Sequence, residues 1–202
     1  QGLATKFFEH FVYIGSALRH MGRRDVELWS ERDGFFYDVL CYPDNSFHKF
    51  RVRSLVGLIP LYAMDCLTEE ELAPYPDFRG NLEWFLRNRP HLTEWCVHPL
   101  TRDGKKSYVL SLMKEEQLVR LLARLWDPAE FHGPHGPRSL SKAHEAEPYR
   151  FAGAEVRYEP GESSSKIKGG NSNWRGPVWF PTSFLLIESL RTLDAAYGPS
   201  LR

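Results

Sequence analysis

Between residues 169 and 181 the chain reads Gly169-Gly170-Asn171-Ser172-Asn173-Trp174-Arg175-Gly176-Pro177-Val178-Trp179-Phe180-Pro181. Two glycines let backbone approach a ligand closely. Asn171 and Asn173 each offer a donor and an acceptor, which matches the mixed character of sugar hydroxyls. Trp174 and Trp179 offer flat apolar faces on which the C–H face of a pyranose can stack. Arg175 adds a rigid donor fork. These types in this spacing point to binding of a polyhydroxylated ring, and Pro181 stands where a helix can start.

Two further segments carry the same signature. Leu28-Trp29-Ser30-Glu31-Arg32-Asp33-Gly34-Phe35-Phe36-Tyr37-Asp38-Val39-Leu40 sets aromatics beside carboxylates around an Asp-Gly turn. Asp33 serves the turn, and Asp38 is the carboxylate suited to hydroxyl binding. Phe50-Arg51-Val52-Arg53-Ser54 places arginine at the expected entry of a helix, where the positive charge opposes the helix dipole. Arg53 therefore needs a carboxylate partner or a ligand. His132 and His135 lie in a Gly/Pro loop without a companion carboxylate or cysteine cluster, so no metal is expected there. Phosphate-binding glycine loops, H-E-x-x-H and G-x-S-x-G are all absent.

The elements that must hold these segments read mostly as helices. Residues 4–21 carry an apolar stripe of Phe7, Phe8, Phe11, Val12 and Leu18, and Gly22 suits their end. Residues 27–50 read as an irregular excursion with a small hairpin. Residues 52–67 read as a second helix, apolar on every face from Leu55 to Met64 and interrupted by Pro60. A short helix is expected over 78–88, a polar, turn-rich stretch to 112, and an amphipathic helix over 114–126. A long Gly/Pro/Ser/His-rich excursion over 127–179 precedes a helix over 181–197 that is apolar all round at Phe184-Leu185-Leu186-Ile187. One-sided helices alternating with all-sided ones suggest a double ring, with long functional loops entering the inner helices.

Composition narrows the function classes. Lys plus Arg and Asp plus Glu each total 26 of 202 residues, so the net charge is zero and no basic face for nucleic acid is implied. Three cysteines, Cys41, Cys66 and Cys96, form no C-x-x-C, which disfavours a disulfide framework or thiolate zinc site and points to a cytoplasmic location. The longest nearly apolar run, Leu55 to Met64, is about half a membrane span, so no membrane partner is expected. Without an initiator Met, the sequence reads as an interior piece of a longer protein.

The chain resembles the bacterial branch of glycoside hydrolase family 63. The carriers are Leu28-Trp29 with Asp33-Gly34-Phe35-Phe36-Tyr37-Asp38-Val39-Leu40, Val52-Arg53-Ser54-Leu55-Val56-Gly57-Leu58-Ile59-Pro60-Leu61, Arg138-Ser139-Leu140-Ser141, and residues 169–179. The resemblance implies an all-α fold, a partial (α/α)6 barrel with long loops and a small β-hairpin on the active-site side, residues 1–202 forming part of one catalytic domain. It implies inverting hydrolysis of α-glycosides with no cofactor. The substrate would be an α-glucoside or a mannosyl- or glucosyl-glycerate. The acid and base carboxyls are expected outside residues 1–202, so this stretch would supply sugar-binding walls: Phe36, Tyr37, Asp38, Arg53, Asn171, Asn173, Trp174, Arg175 and Trp179. Two alternatives remain open: another α/α-barrel carbohydrate enzyme (trehalase-like, or a disaccharide phosphorylase) and a non-catalytic helical protein-binding scaffold.

Overall fold

The computed structural model describes residues 1–20, 26–161 and 174–198. In chain order the elements are α1 (Gly2–Arg19), β1 (Trp29–Ser30), β2 (Phe35–Phe36), β3 (Asp38–Cys41), β4 (Phe47–Phe50), a 3-10 helix (Leu55–Tyr62), β5 (Met64–Thr68), α2 (Glu69–Leu72), α3 (Pro76–Asn88), α4 (Pro90–Thr93), β6 (Val97–Arg102), β7 (Lys105–Ser111), α5 (Glu115–Leu125), β8 (His132–Gly133), β9 (Gly136–Pro137), α6 (Ala143–Ala146), β10 (Tyr149–Phe151), β11 (Ala154–Val156) and α7 (Phe180–Tyr197). Five antiparallel sheets stand among the described residues. The fold is therefore mixed α+β, and the expected all-α partial barrel is overturned.

The chain divides into two compact units, Gln1–Glu27 with Pro60–Glu115 and Glu188–Arg202, and Leu28–Ile59 with Glu116–Ile187. In the first unit, β5, β7 and β6 form a three-stranded sheet in that order. Its core joins Phe8 and Val12 of α1 to Phe78, Leu82 and Phe85 of α3 and to Cys96 and Val97. Phe8 meets Phe78 and Phe85 edge to face at centroid distances of 6.0 and 5.7 Å, the favoured geometry for aromatic pairs. Thr68 and Glu71 form a capping box that fixes the start of α2.

The sheet replaces the expected turn-rich stretch up to residue 112. Asp103 and Gly104 both adopt positive φ, 51° and 76°, as a two-residue hairpin turn matched to strand twist requires. That turn pairs Val97 through Arg102 with Lys105 through Leu110.

Two helices expected to be buried all round are not. The second is a 3-10 helix that ends at Tyr62, after which Met64 begins a strand. Pro60 removes an N–H and its ring opposes the carbonyl four residues back, so an α-helix through this point is disfavoured. Leu55, Leu58 and Leu61 are buried while Val56 and Ile59 are exposed, the three-residue period of a 3-10 helix. In α7, Leu186, Ser189, Leu193 and Ala196 are buried, and Phe184, Leu185 and Ile187 face solvent. A one-sided stripe of that kind ends the double-ring picture.

The second unit is built from hairpins. Trp29 pairs with Phe36 and Ser30 with Phe35 across the Asp33-Gly34 turn. Its apolar centre includes Val52, Leu140 and Val156, and Phe35 stacks on Phe131 at 5.6 Å. Short bridges tie Ser54 to Leu140 and Arg138 to Val178.

Candidate functional site: an aromatic cavity between two hairpins

Within the second unit, β3 pairs with β4 and β10 pairs with β11, in both cases antiparallel. Side chains alternate between faces along a strand, so cross-strand partners share a face. Asp38 is opposite Phe50, Tyr149 is opposite Val156, and Phe151 is opposite Ala154. These faces enclose a cavity of about 270 Å³ lined by Asp38, Phe50, Val52, Tyr149, Phe151, Ala154 and Val156. Asp38 is exposed, whereas Val52 and Val156 are buried beneath the aromatic wall.

His48 holds the aromatic wall from outside the lining. Its ring lies 4.5 Å from Phe151 and 5.0 Å from Phe50, and its Nε2 is 2.6 Å from the Tyr149 hydroxyl. Phe50 meets Phe151 at 4.8 Å with an interplanar angle of 72° and Tyr149 at 6.2 Å with an angle of 61°. The rings therefore form steep walls rather than one flat surface. Three aromatic rings, an apolar floor and one carboxylate are suited to a ring with an apolar face and a polar edge. A larger concavity of about 420 Å³ in the first unit is lined by charges of both signs, among them Arg102, Lys105, Glu69 and Glu70, and holds none of the expected site residues.

Arg53 and Tyr37 belong to a second, polar cluster in the same unit. Arg53 Nε lies 2.9 Å from Glu130 Oε2, close enough for an ion pair although its N–H is not aimed at the oxygen. Arg124 donates to Glu130 Oε1 at 2.7 Å, and the Ser141 hydroxyl donates to Oε2. Arg124 Nε also donates to the Asp33 carbonyl at 2.7 Å, and Arg51 pairs with the Asp33 carboxylate. Burial pushes the Tyr37 phenol above its usual range, Asp33 adds to that, and Arg53 and Arg124 oppose it. His144 Nε2 accepts the Arg53 backbone N–H at 2.9 Å, while Nδ1 donates to the Glu147 carbonyl at 3.0 Å. This arrangement requires the neutral ring, and burial holds its pKa below the ordinary histidine value. Two half-buried arginines beside one buried carboxylate answer the need that Arg53 showed in the sequence with an ion-pair partner.

The expected site residues thus separate. Asp38 lines the cavity. Phe36 is buried against Trp29 at 4.9 Å, and Tyr37 against Phe35 at 5.4 Å. Trp174 stacks face to face on Trp179 at 4.6 Å and 9°. Arg175 is buried and donates to Glu159 Oε2 at 3.0 Å. The Gly176 N–H is held by the Ser139 hydroxyl at 2.9 Å. Asn171 and Asn173 lie outside the described residues. None of Trp174, Arg175 and Trp179 lines the cavity that contains Asp38.

Sequence reasoning passed over Phe50, Tyr149, Phe151 and Glu130. The alternation Tyr149-Arg150-Phe151, with Ala152-Gly153 ahead of Ala154-Glu155-Val156, is a legible hairpin signal. Ala152 and Gly153 indeed both take positive φ, 47° and 77°. Glu130 reaches Arg124 six positions away and Ser141 eleven positions away, but its pairing with Arg53 joins distant parts of the chain and left no local signal.

Among the described residues, no group of three or more His, Cys, Asp and Glu side chains could hold a metal ion. No helix among them is long and apolar enough to cross a membrane.

The chain is 40% identical, over 220 aligned positions, to the Saccharomyces cerevisiae protein described as "Uncharacterized protein YMR196W". The alignment covers all of this chain and 20% of that protein, so the chain spans about a fifth of the length of the curated relative it matches. No family model matches the chain. No solved structure matches it. The resemblance to glycoside hydrolase family 63 is accordingly corrected: no family model supports it, and the mixed architecture with five small sheets departs from the all-α barrel it implied.

Proposed function

We propose that the second unit binds carbohydrate, seating one sugar ring in the cavity between the β3–β4 and β10–β11 hairpins as a wall of a glycoside-hydrolysing site. The observation that carries this reading is the joining of Asp38 with Phe50, Tyr149 and Phe151 around one concavity. Aromatic faces take up the C–H surface of a pyranose, and a carboxylate accepts from its hydroxyls. Hydrolysis with inversion needs an acid and a base carboxyl about 6.5–9.5 Å apart across the scissile bond. In this reading both come from outside residues 1–202, and this stretch contributes binding.

The test is saturation-transfer NMR of the chain with methyl α-D-glucopyranoside, followed by titration. Phe50→Ala is expected to weaken binding about 5–100-fold, the scale of losing one stacked aromatic. Absence of saturation transfer to the wild-type chain at high ligand concentration would remove the carbohydrate reading.

One observation favours a second reading, a protein-binding scaffold. Phe180 is 83% exposed, and Phe184, Leu185 and Ile187 follow it on solvent-facing positions of α7. Apolar groups clustered in this way mark interaction surfaces.

A further inference from the structure

We infer that the cavity between the two hairpins takes a glycoside whose aglycone is apolar, an aryl or cycloalkyl group. The aglycone lies on the cavity floor and the sugar toward the rim. The inference rests on the carbohydrate reading and names the substrate class of that same site.

Apart from Asp38, the lining is carbon: Phe50, Val52, Tyr149, Phe151, Ala154 and Val156. Val52 and Val156 are 4% and 5% exposed, whereas Asp38 is exposed. The concavity therefore runs from a polar rim to an aliphatic floor, with aromatic rings as its sides. Tyr149 brings a hydroxyl, but that group is already engaged by His48 Nε2 at 2.6 Å and by the Arg51 backbone. The side chains of the floor carry no donor or acceptor at all.

A sugar hydroxyl pressed against this floor gives up water and gains no partner. One such unpaired hydroxyl lowers affinity roughly five- to a hundredfold. A hydrocarbon ring carries no such penalty and adds apolar contact. An apolar cavity of about 150 Å³ is enough to take up benzene. At about 270 Å³ this one has room for a ring of that size and for part of a pyranose above it. Phe50 and Phe151 meet at 72°, so an aromatic guest between them can face one ring and present its edge to the other. Exchanging a methyl aglycone for phenyl, if the added carbon were fully buried, corresponds to about a hundredfold in affinity. The exposed rim leaves part of that surface wet, and about tenfold is the expected gain.

Three α-D-glucopyranosides that differ only in the aglycone test this: methyl, phenyl and 2,3-dihydroxypropyl. Titration of the chain is expected to rank phenyl about tenfold above methyl, and dihydroxypropyl no better than methyl. In methyl-resolved NMR spectra of the wild-type chain, the ring current of the phenyl glycoside should shift the Val52 and Val156 methyl resonances, which the methyl glycoside should move little. Ala154 is half-buried opposite Phe151, so Ala154→Leu fills part of the floor and is expected to bring phenyl within about twofold of methyl. Equal binding of phenyl and methyl glycosides by the wild-type chain overturns the apolar aglycone seat and leaves carbohydrate binding intact. A dihydroxypropyl glycoside as tight as the phenyl one shows that size is read instead of apolarity, and overturns the substrate class. A phenyl preference without shifts at Val52 and Val156, or one that persists in folded Ala154→Leu, overturns the placement in this cavity; the shifts are read in the wild type and do not depend on the variant folding. Binding of the phenyl glycoside alone, or of none of the three, removes the carbohydrate reading and the inference with it.

Discussion

Glu130→Gln is expected to destabilise the second unit by about 2–3 kcal/mol. Glu130 is buried and holds three groups at once: the Arg124 guanidinium at 2.7 Å, the Arg53 guanidinium with its Nε at 2.9 Å, and the Ser141 hydroxyl. Glutamine keeps the volume and one acceptor. It removes the charge and turns an N–H donor toward a guanidinium or a hydroxyl. Breaking a fully buried pair costs about 3–5 kcal/mol, because the surviving charge is left without compensation. Here the Arg53 and Arg124 side chains are 23% and 26% exposed, so water takes up part of the charge and the cost is lower. The Arg53 N–H is also poorly aimed, which places most of the loss on Arg124 and Ser141. For a chain of this size the loss corresponds to a fall of about 4–12 °C in Tm. The assay is urea and thermal unfolding of both proteins under identical conditions. Glu155→Gln is the control. Its surface pairs with Arg150 and Arg157 are solvated, so the midpoint should not move. Arg124→Met in the Glu130→Gln background should cost less than the same change in wild type, since the pair is already broken. A loss below about 0.5 kcal/mol for Glu130→Gln would refute the view that this cluster holds the unit together.

Stability should also fall at mildly acidic pH. His144 and His98 are both held below the ordinary histidine pKa by burial, so the folded chain binds fewer protons than the unfolded one. Their contribution is full above about pH 6.5 and is lost as pH drops from there toward the folded values, a window distinct from that of the carboxylates; equal urea midpoints at about pH 7.5 and about pH 5.5 would contradict it. Gly57→Ala should cost about 2–3 kcal/mol, measured by urea unfolding, because an added Cβ would stand 2.7 Å from Phe35 Cζ and against the Phe36 carbonyl; a wild-type midpoint would show that the 3-10 helix shifts freely. Burial pushes the Cys96 thiol up to about 12, so alkylation near neutral pH followed by peptide mass mapping should label half-buried Cys41 well before Cys96. Equal labelling rates in the folded chain would count against the buried position of Cys96.

Local order was largely readable from local residues. The apolar stripe of residues 4–21 anticipates α1, Phe78 to Asn88 anticipates α3, and Lys114 to Trp126 anticipates α5, each within a few residues of the observed Gly2–Arg19, Pro76–Asn88 and Glu115–Leu125. The Asp33-Gly34 hairpin and the turn at Pro43-Asp44-Asn45 follow from chemistry held within a handful of positions. Asp38 could be singled out because its neighbours along the chain are aromatic. Burial was not readable in the same way. An apolar run such as Leu55 to Met64 permits a helix enclosed on every side, a 3-10 helix with one buried edge, or the start of a strand, and Pro60 and the contact of Gly57 with Phe35 and Phe36 decide among them. The β6–β7 hairpin does carry a local signal, the Asp103-Gly104 turn.

The cavity itself was decided by tertiary structure. Phe50 and Tyr149 are separated by 99 positions, and no spacing rule relates them; they meet because two hairpins each turn one face inward. Glu130 with Arg53 is the same case, a charge pairing of distant positions that exists only once the chain has folded. Residue types and short-range spacing determine which side chains are capable of chemistry, since hydrogen-bonding capacity, charge and aromatic faces belong to single residues. Which of them share a space depends on long-range contacts, whose energies are non-local and leave no period in the sequence.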